Sequence, residues 1–282
     1  MGYEWCIYVP FCAEPILEKM NADLFISVRP EIPPVPGVTS MLCVHMPAFV
    51  KELKEQSAAY DNFILTIYDM GELGEYLEET GRKYHILRSF CSVPKQPFCD
   101  KPKQRIAYIG TNWDQRRRDH FKNLFALLDK TGYCDFYGPK DGWQGRFKSY
   151  RRMIPLQTPD DIIDVMKDAG IALVLHSKEH YETGTATLRD FEAASASCVI
   201  ITERTRFMEE NFNDCALFID CDKSAREILQ QISAHVRWIH RNPQKAMEMA
   251  RKSHEIFCEK LSLDDQVKDI LALAEKIKEE NV

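Results

Sequence analysis

No apolar run in this 282-residue chain approaches the roughly 20 residues that cross a bilayer, so a helical membrane protein is not expected. Met1 to Pro10 has neither a basic start nor a long apolar core, so no secretory leader is expected. The charge balance lacks a basic excess. Against 43 Asp and Glu stand 37 Lys and Arg, a net charge of −6, and no global field recruits nucleic acid. The clusters Arg116-Arg117-Arg118 and Arg151-Arg152 are too short to change that. The 10 cysteines contain no C-x2-C pair and no Cys/His block with zinc spacing. Cys43, Cys134 and Cys198 stand inside apolar runs, where a thiol acts as a small hydrophobe. A reducing cytoplasm is therefore the expected compartment, with peripheral contact at the inner membrane face left open. Repeats and low-complexity tracts are also missing.

What is present is a globular composition, 45% apolar and 28% charged, in a chain long enough for two domains. Short apolar strands alternate with helical patterns. In the first part, strands are expected at Trp5 to Val9, Leu24 to Val28, Val38 to Val44, Asn62 to Ile67 and Tyr84 to Leu87. Helices are expected at Ala13 to Met20, Ala48 to Ser57 and Glu72 to Glu79. Ser92 to Gln104 carries three prolines and no hydrophobic period, and reads as a linker. The pattern then restarts with a strand at Arg105 to Ile109, the tight loop Gly110-Thr111-Asn112, and an amphipathic helix over Arg117 to Leu128. Strands at Cys134 to Tyr137, Ile171 to Leu175, Val199 to Ile201 and Ala216 to Ile219 follow, with helices between and after them. Such alternation predicts parallel sheets covered by helices. The expected division is residues 1–103 and 104–282.

The most telling stretch is LVLHSKEHYETGTATLRDFEAASASCVIIT, Leu173 to Thr202. A buried strand ends in His176 and Ser177. A polar loop containing His180, Gly184 and Thr185 leads to a helix opening near Thr187, and a second strand follows. Helix N-termini present free N–H groups and a partial positive charge to phosphates. Arg189 in the first turn and Glu192 three residues on suit a nucleoside diphosphate, with Arg for phosphate and Glu for ribose hydroxyls. A surface ion pair between the two is the alternative use of that spacing.

Arg189-Asp190-Phe191-Glu192-Ala193-Ala194, followed by Cys198-Val199-Ile200-Ile201-Thr202, resembles the C-terminal domain of GT-B glycosyltransferases, in particular the CgeB-like branch of the group 1 transferases. The resemblance runs from about Arg105 to about Cys258. It implies an α/β GT-B fold, two Rossmann-like domains facing a cleft. The N-terminal acceptor-side domain is abbreviated here, and the terminal helix of the donor domain packs back on it. It also implies that Asn112 and Arg117 or Arg118, at the first loop and helix of the second domain, meet the leaving diphosphate. Tyr137-Gly138, with Gly142-Trp143 beyond, matches a recurring strand-end pair whose glycine allows a ligand close to the backbone. By the same resemblance His176, Ser177, Gly184, Thr185, Arg189 and Glu192 form the donor pocket, with Glu192 on the ribose. Retaining relatives carry a second glutamate eight positions earlier; here that position is Gly184, and Glu182 is out of register.

The expected activity is transfer of a sugar from a nucleotide-sugar donor to a hydroxyl on a glycan, lipid-linked or protein acceptor, with no cofactor and no metal. His45, at a strand end, is the candidate base, with Asp69 and Glu72 as alternatives. Two other readings stay open: a nucleotide-sugar epimerase of the same fold, and a non-catalytic module that binds a glycan or partner protein.

Overall fold

In a computed structural model of the chain, the structure describes residues 22–44, 59–87, 91–111, 116–143, 145–152 and 159–280. The strand and helix expected within residues 1–21, the helix over 48–57, and His45 and Asn112 lie outside the described residues. These residues fall into two compact units, one within Met1–Leu87 and Val267–Val282, the other within Arg88–Gln266.

The first unit is built on four parallel strands in sequential order, β1 (Leu24–Ser27), β2 (Thr39–Val44), β3 (Asn62–Leu65) and β4 (Lys83–Ile86). Helix α1 (Gly71–Glu79) connects β3 to β4 and buries Leu73, Gly74 and Leu77. It packs on a core containing Phe25, Leu42, Phe63 and Leu65. Lys83 Nζ meets Glu280 Oε2 at 2.7 Å within this unit.

The second unit starts at its central strand, β5 (Arg105–Ile109). A π-helical turn, Arg116–His120, leads into α2 (Lys122–Asp129), then β6 (Cys134–Tyr137), a one-turn α3 (Lys140–Trp143) and the edge strand β7 (Tyr150–Arg152). Helix α4 (Pro159–Ala169) returns the chain to β8 (Gly170–Val174) on the other side of β5. Next come α5 (Lys178–Glu182), α6 (Leu188–Ser195), β9 (Val199–Glu203), α7 (Arg206–Phe212) and β10 (Ala216–Ile219). Two long helices, α8 (Ala225–Arg241) and α9 (Pro243–Ile256), precede α10 (Leu263–Glu280), whose residues from Val267 group with the first unit. All pairings are parallel and the order is β10-β9-β8-β5-β6-β7. The order therefore reverses between β5 and β8, and the crevice beyond the carboxyl ends of those two strands is where such sheets bind ligands.

Hydrophobic periodicity explains most of these elements. Helix α8 buries Ile228, Ile232, Val236 and Ile239 along one stripe, and Ser224 and Glu227 close a capping box at its start. An aromatic cluster of Tyr108, Phe125, Phe136 and Trp143 fills the space between α2 and the sheet. At roughly 1.5–3 kcal/mol for each buried large side chain, that cluster is a major source of the unit's stability. The thiols inside the apolar runs are buried, and burial pushes Cys43 and Cys198 up to about 12. Among the described residues no helix is long and apolar enough to cross a membrane.

Two differences from the sequence expectation have physical reasons. The helix expected over Arg117 to Leu128 opens as a π turn, with Phe121 N–H donating to the Arg116 carbonyl at 3.1 Å; Arg116 is held elsewhere, as described below. Ser92 to Gln104 has no regular structure, but it is tied along the second unit. Ser195 Oγ donates to the Pro94 carbonyl at 2.7 Å, His254 Nε2 to the Gln96 carbonyl at 2.8 Å, and Cys99 N–H to Ser197 Oγ at 3.0 Å.

Ser197 ends α6 with φ +59°, a left-handed conformation usually left to glycine, and it is fully buried. Its hydroxyl is what glycine could not supply. Ser197→Ala keeps the strain and orphans the Cys99 N–H, so it lowers stability by about 1–3 kcal/mol. Ser197→Gly relieves the strain and should lose less. Urea denaturation of both variants checks the order; a glycine variant less stable than the alanine variant would sink this account.

Candidate functional site

The residues at the switch point come from four elements. Arg189, in the first turn of α6, reaches back to β5 and donates through Nε to the Ile109 carbonyl at 3.3 Å. Its Nη1 forms an ion pair with Glu192 one turn on. The Glu192 side chain is 5% exposed, against 27% for Arg189. Burial pushes the Glu192 carboxyl above the ordinary range, and the Arg189 charge works against that push. The two groups expected to hold phosphate and ribose are thus together at the carboxyl end of β5. They use the i, i+3 spacing to pair with each other.

Beneath them is a buried charge network in which the sequence reading named one member, His176. The chain enters it at the end of β8, where His176 N–H donates to Glu203 Oε2 at 2.7 Å. Glu203, the last residue of β9, is 1% exposed. The His176 ring is fully enclosed, with Nε2 3.2 Å from Asp190 Oδ2 and Nδ1 3.5 Å from Glu203 Oε2. Arg116 closes the network. It donates to the His176 carbonyl at 3.0 Å and pairs with both Glu203 oxygens. Its guanidinium also stacks on the rings of Phe121 and Tyr181, at 4.9 and 4.5 Å. Burial works against a charge on His176, but the Asp190 and Glu203 carboxylates outweigh it and push the imidazole up to about 9. Burial likewise tends to raise Glu203, yet His176 and Arg116 hold it below the ordinary carboxylate range. These contacts form a closed set of ion pairs, and among the described residues no three His, Cys, Asp or Glu are placed to hold a metal ion.

The remaining expected site residues have definite places. Ser177 caps α5, a helical turn where a loop was expected, and its Oγ lies 2.7 Å from His180 Nδ1. Gly184 adopts φ +66°, and its carbonyl accepts the Phe207 N–H at 2.9 Å. The N–H groups expected to face a ligand at Thr185 to Thr187 are in part occupied. Thr185 N–H donates to the His180 carbonyl at 3.1 Å, and Thr187 N–H to Asp190 Oδ2 at 2.8 Å. Helix α6 begins at Leu188, so the donors that helix geometry leaves without intrahelical partners are those of Leu188 and Arg189. Direct ligand contact by the His176 ring, another expectation, does not fit its enclosure. Gly138 is required by an internal approach. A Cβ there would lie 2.1 Å from the Gly110 carbonyl oxygen, which also accepts the Trp143 Nε1–H at 2.9 Å. Tyr137 beside it is half-buried. Arg117 and Arg118 lie in the π turn, with side chains outside the described residues. An open groove of about 530 Å³ lined by Lys103, Arg105, Ile239 and His240 lies at the amino end of β5, away from the switch point.

Glu203, Asp190 and Arg116 are what sequence reasoning missed. A carboxylate closing an apolar strand (Val199 to Glu203) was the one available signal; the partnership itself joins residues 87 positions apart.

His176 supplies a pH test. Its proton is bound more tightly in the folded chain than near the usual value of 6.5, so its stabilisation is complete below that pH and is lost as pH rises through about 9. The melting temperature of the wild type should fall across this window relative to that of His176→Gln. Parallel pH profiles for the two proteins would contradict the assignment.

A family model described as glycosyl transferase-like matches residues 98–272. No curated protein sequence matches the chain. Among solved structures, a mutant of S. aureus TarM in complex with fondaparinux, α-GlcNAc-glycerol and UDP is 15% identical, with a TM-score of 0.57 over 92% of this chain and 57% of that one. The pneumococcal O-GlcNAc transferase GtfA, in complex with UDP and GlcNAc, is 11% identical, with a TM-score of 0.57 over 94% and 59%. Sucrose-phosphate synthase from Thermosynechococcus elongatus is 10% identical, with a TM-score of 0.59 over 96% and 77%. The chain thus spans less than two thirds of the TarM and GtfA chains. At these identities the likeness shows the fold, which is that of GT-B glycosyltransferases.

Proposed function

The chain belongs to the glycosyl transferase-like family, and from that premise we propose that it transfers a sugar from a nucleotide-sugar donor to a hydroxyl acceptor on a glycan, lipid or protein. The observation that carries this reading is the Arg189–Glu192 pair at the carboxyl end of β5, inside the family-matched segment and at the point where strand order reverses. Solved structures that share the fold are described as complexes with UDP.

In this reading the donor diphosphate lies against the first turn of α6. Arg189 leaves Glu192 in part to meet phosphate oxygen, and Glu192 accepts hydrogen bonds from the ribose hydroxyls. Arg117 or Arg118 meets the leaving group from the π turn after β5. As the bond from the anomeric carbon to the diphosphate oxygen breaks, its electron pair leaves with the diphosphate. The acceptor oxygen bonds to that carbon and passes its proton to a base. Fixed guanidinium groups and oriented N–H donors stabilise the developing charge without reorganising, and loss of one such donor typically costs about 10²–10³ in rate. No metal is required for that role. His45 is the proposed base. Of its alternatives, Asp69 already accepts the Gly71 N–H at 3.1 Å, and Glu72 lies in the first turn of α1. Nothing in the chemistry calls for a membrane span, and a cytoplasmic location with peripheral membrane contact fits a lipid-linked acceptor.

The test is a thermal-shift screen with UDP, GDP, CDP, ADP and dTDP, with and without EDTA. One nucleotide should raise the melting temperature irrespective of EDTA, and Glu192→Gln should weaken its binding about tenfold or more, the scale of one charge-assisted hydrogen bond. No shift by any nucleotide on the folded protein overturns the donor site; a shift abolished by EDTA overturns metal independence alone.

A further inference from the structure

The first turn of α6 contains a contradiction for an anion site. Asp190 stands at its third position, and its carboxylate accepts both the Thr187 N–H (2.8 Å) and the Thr187 hydroxyl (3.2 Å). A carboxylate suits a helix N-terminus, but it spends the positive potential that would attract a phosphate. It is fully buried, so solvent does not screen it. From below, His176 Nε2 meets the same oxygen at 3.2 Å, likewise fully buried. Asp190 Oδ1 and His176 Nδ1 have no hydrogen-bond partner among the described residues.

We propose that His176 is a positioning residue for the donor diphosphate: by ion-pairing Asp190 from beneath, it cancels the carboxylate in the first turn of α6 and lets that helix end accept an anion. The inference rests on the donor reading above and adds the device that sets its charge. The other groups facing His176 are Glu203 from β9 and Arg116 from the π turn; Tyr181 of α5 and Cys221 after β10 face Arg116 and Glu203 in turn. With Arg189 and Glu192, the site holds three cations paired with three anions. Loss of the His176 proton would leave it one charge negative against a ligand that is itself anionic. Leu188, the first residue of that helix, is 51% exposed.

Burial works against the charge, but the Asp190 and Glu203 carboxylates outweigh it and raise His176 to about 9, which places the transition above neutrality. The experiment measures affinity by calorimetry, from about pH 7 to about pH 10, for the nucleoside diphosphate that shifts the melting temperature. It compares the wild type, His176→Gln and the double variant His176→Gln/Asp190→Asn. Wild-type affinity should drop about tenfold as pH passes the His176 transition, one pKa unit of differential interaction. His176→Gln should bind about tenfold more weakly at neutral pH and show no step. The double variant, which removes the uncancelled carboxylate and keeps a neutral partner of similar shape, should recover neutral-pH affinity and also lack the step. A merely structural His176 would give no recovery. Wild-type binding flat with pH, a step that persists in His176→Gln, or a folded double variant as weak as the single one overturns the proposal and leaves the donor site standing. If no nucleoside diphosphate binds the folded wild type at any pH, the donor reading fails, and this inference with it.

Discussion

The salt bridge between Arg116 and Glu203 is the contact around which the second unit is arranged. Its guanidinium is 12% exposed and the carboxylate 1%, so neither charge could stay there without the other. Breaking a buried pair from one side typically costs about 3–5 kcal/mol, because the survivor is left uncompensated. Glu203 in turn accepts the His176 N–H, and Arg116 takes the His176 carbonyl. One ion pair therefore fixes the turn after β5 against the carboxyl ends of β8 and β9. The switch point is rigid for that reason, and the residues above it inherit its geometry.

The chemistry is layered on this base. The lower layer, Arg116, Glu203, His176 and Asp190, is enclosed and internally satisfied in charge. The upper layer, Arg189 and Glu192, lies at the crevice, partly exposed on the Arg189 side. Such a division separates tasks that a single pair could not perform. Buried charges hold the backbone at the strand ends, while in the proposed reading the more exposed Arg189 exchanges partners with the donor. In the transfer proposed for this chain, departure of a diphosphate is the step that would draw on fixed positive charge.

Much of the architecture was legible in the sequence because it depends on local periodicity. Strands β5, β6 and β10 fall where apolar runs predicted them. The pairing of Arg189 with Glu192 was also readable, since three residues on a helix bring side chains to one face. Short elements without a period were not readable. The turn α5 is made of polar residues held by the Ser177 cap, and β7 contributes only Tyr150–Arg152 at a sheet edge. Gly138 shows a different kind of gap. Its need for glycine was visible, but the approaching group is the Gly110 carbonyl, 28 positions away and just past the end of the neighbouring strand.

The sequence by itself determined that this is a chain of alternating strands and helices with parallel sheets, and that a strand, a polar loop, a helix and a second strand lie between Leu173 and Thr202. Those properties follow from side-chain periodicity and helix-end chemistry, which act over a few residues. Only the tertiary structure decided that Arg116 pairs with Glu203, why His176 is charged, and which carboxylates hold it. Burial and the exclusion of water turn residues distant in sequence into a single electrostatic unit, and no local rule reads across such distances.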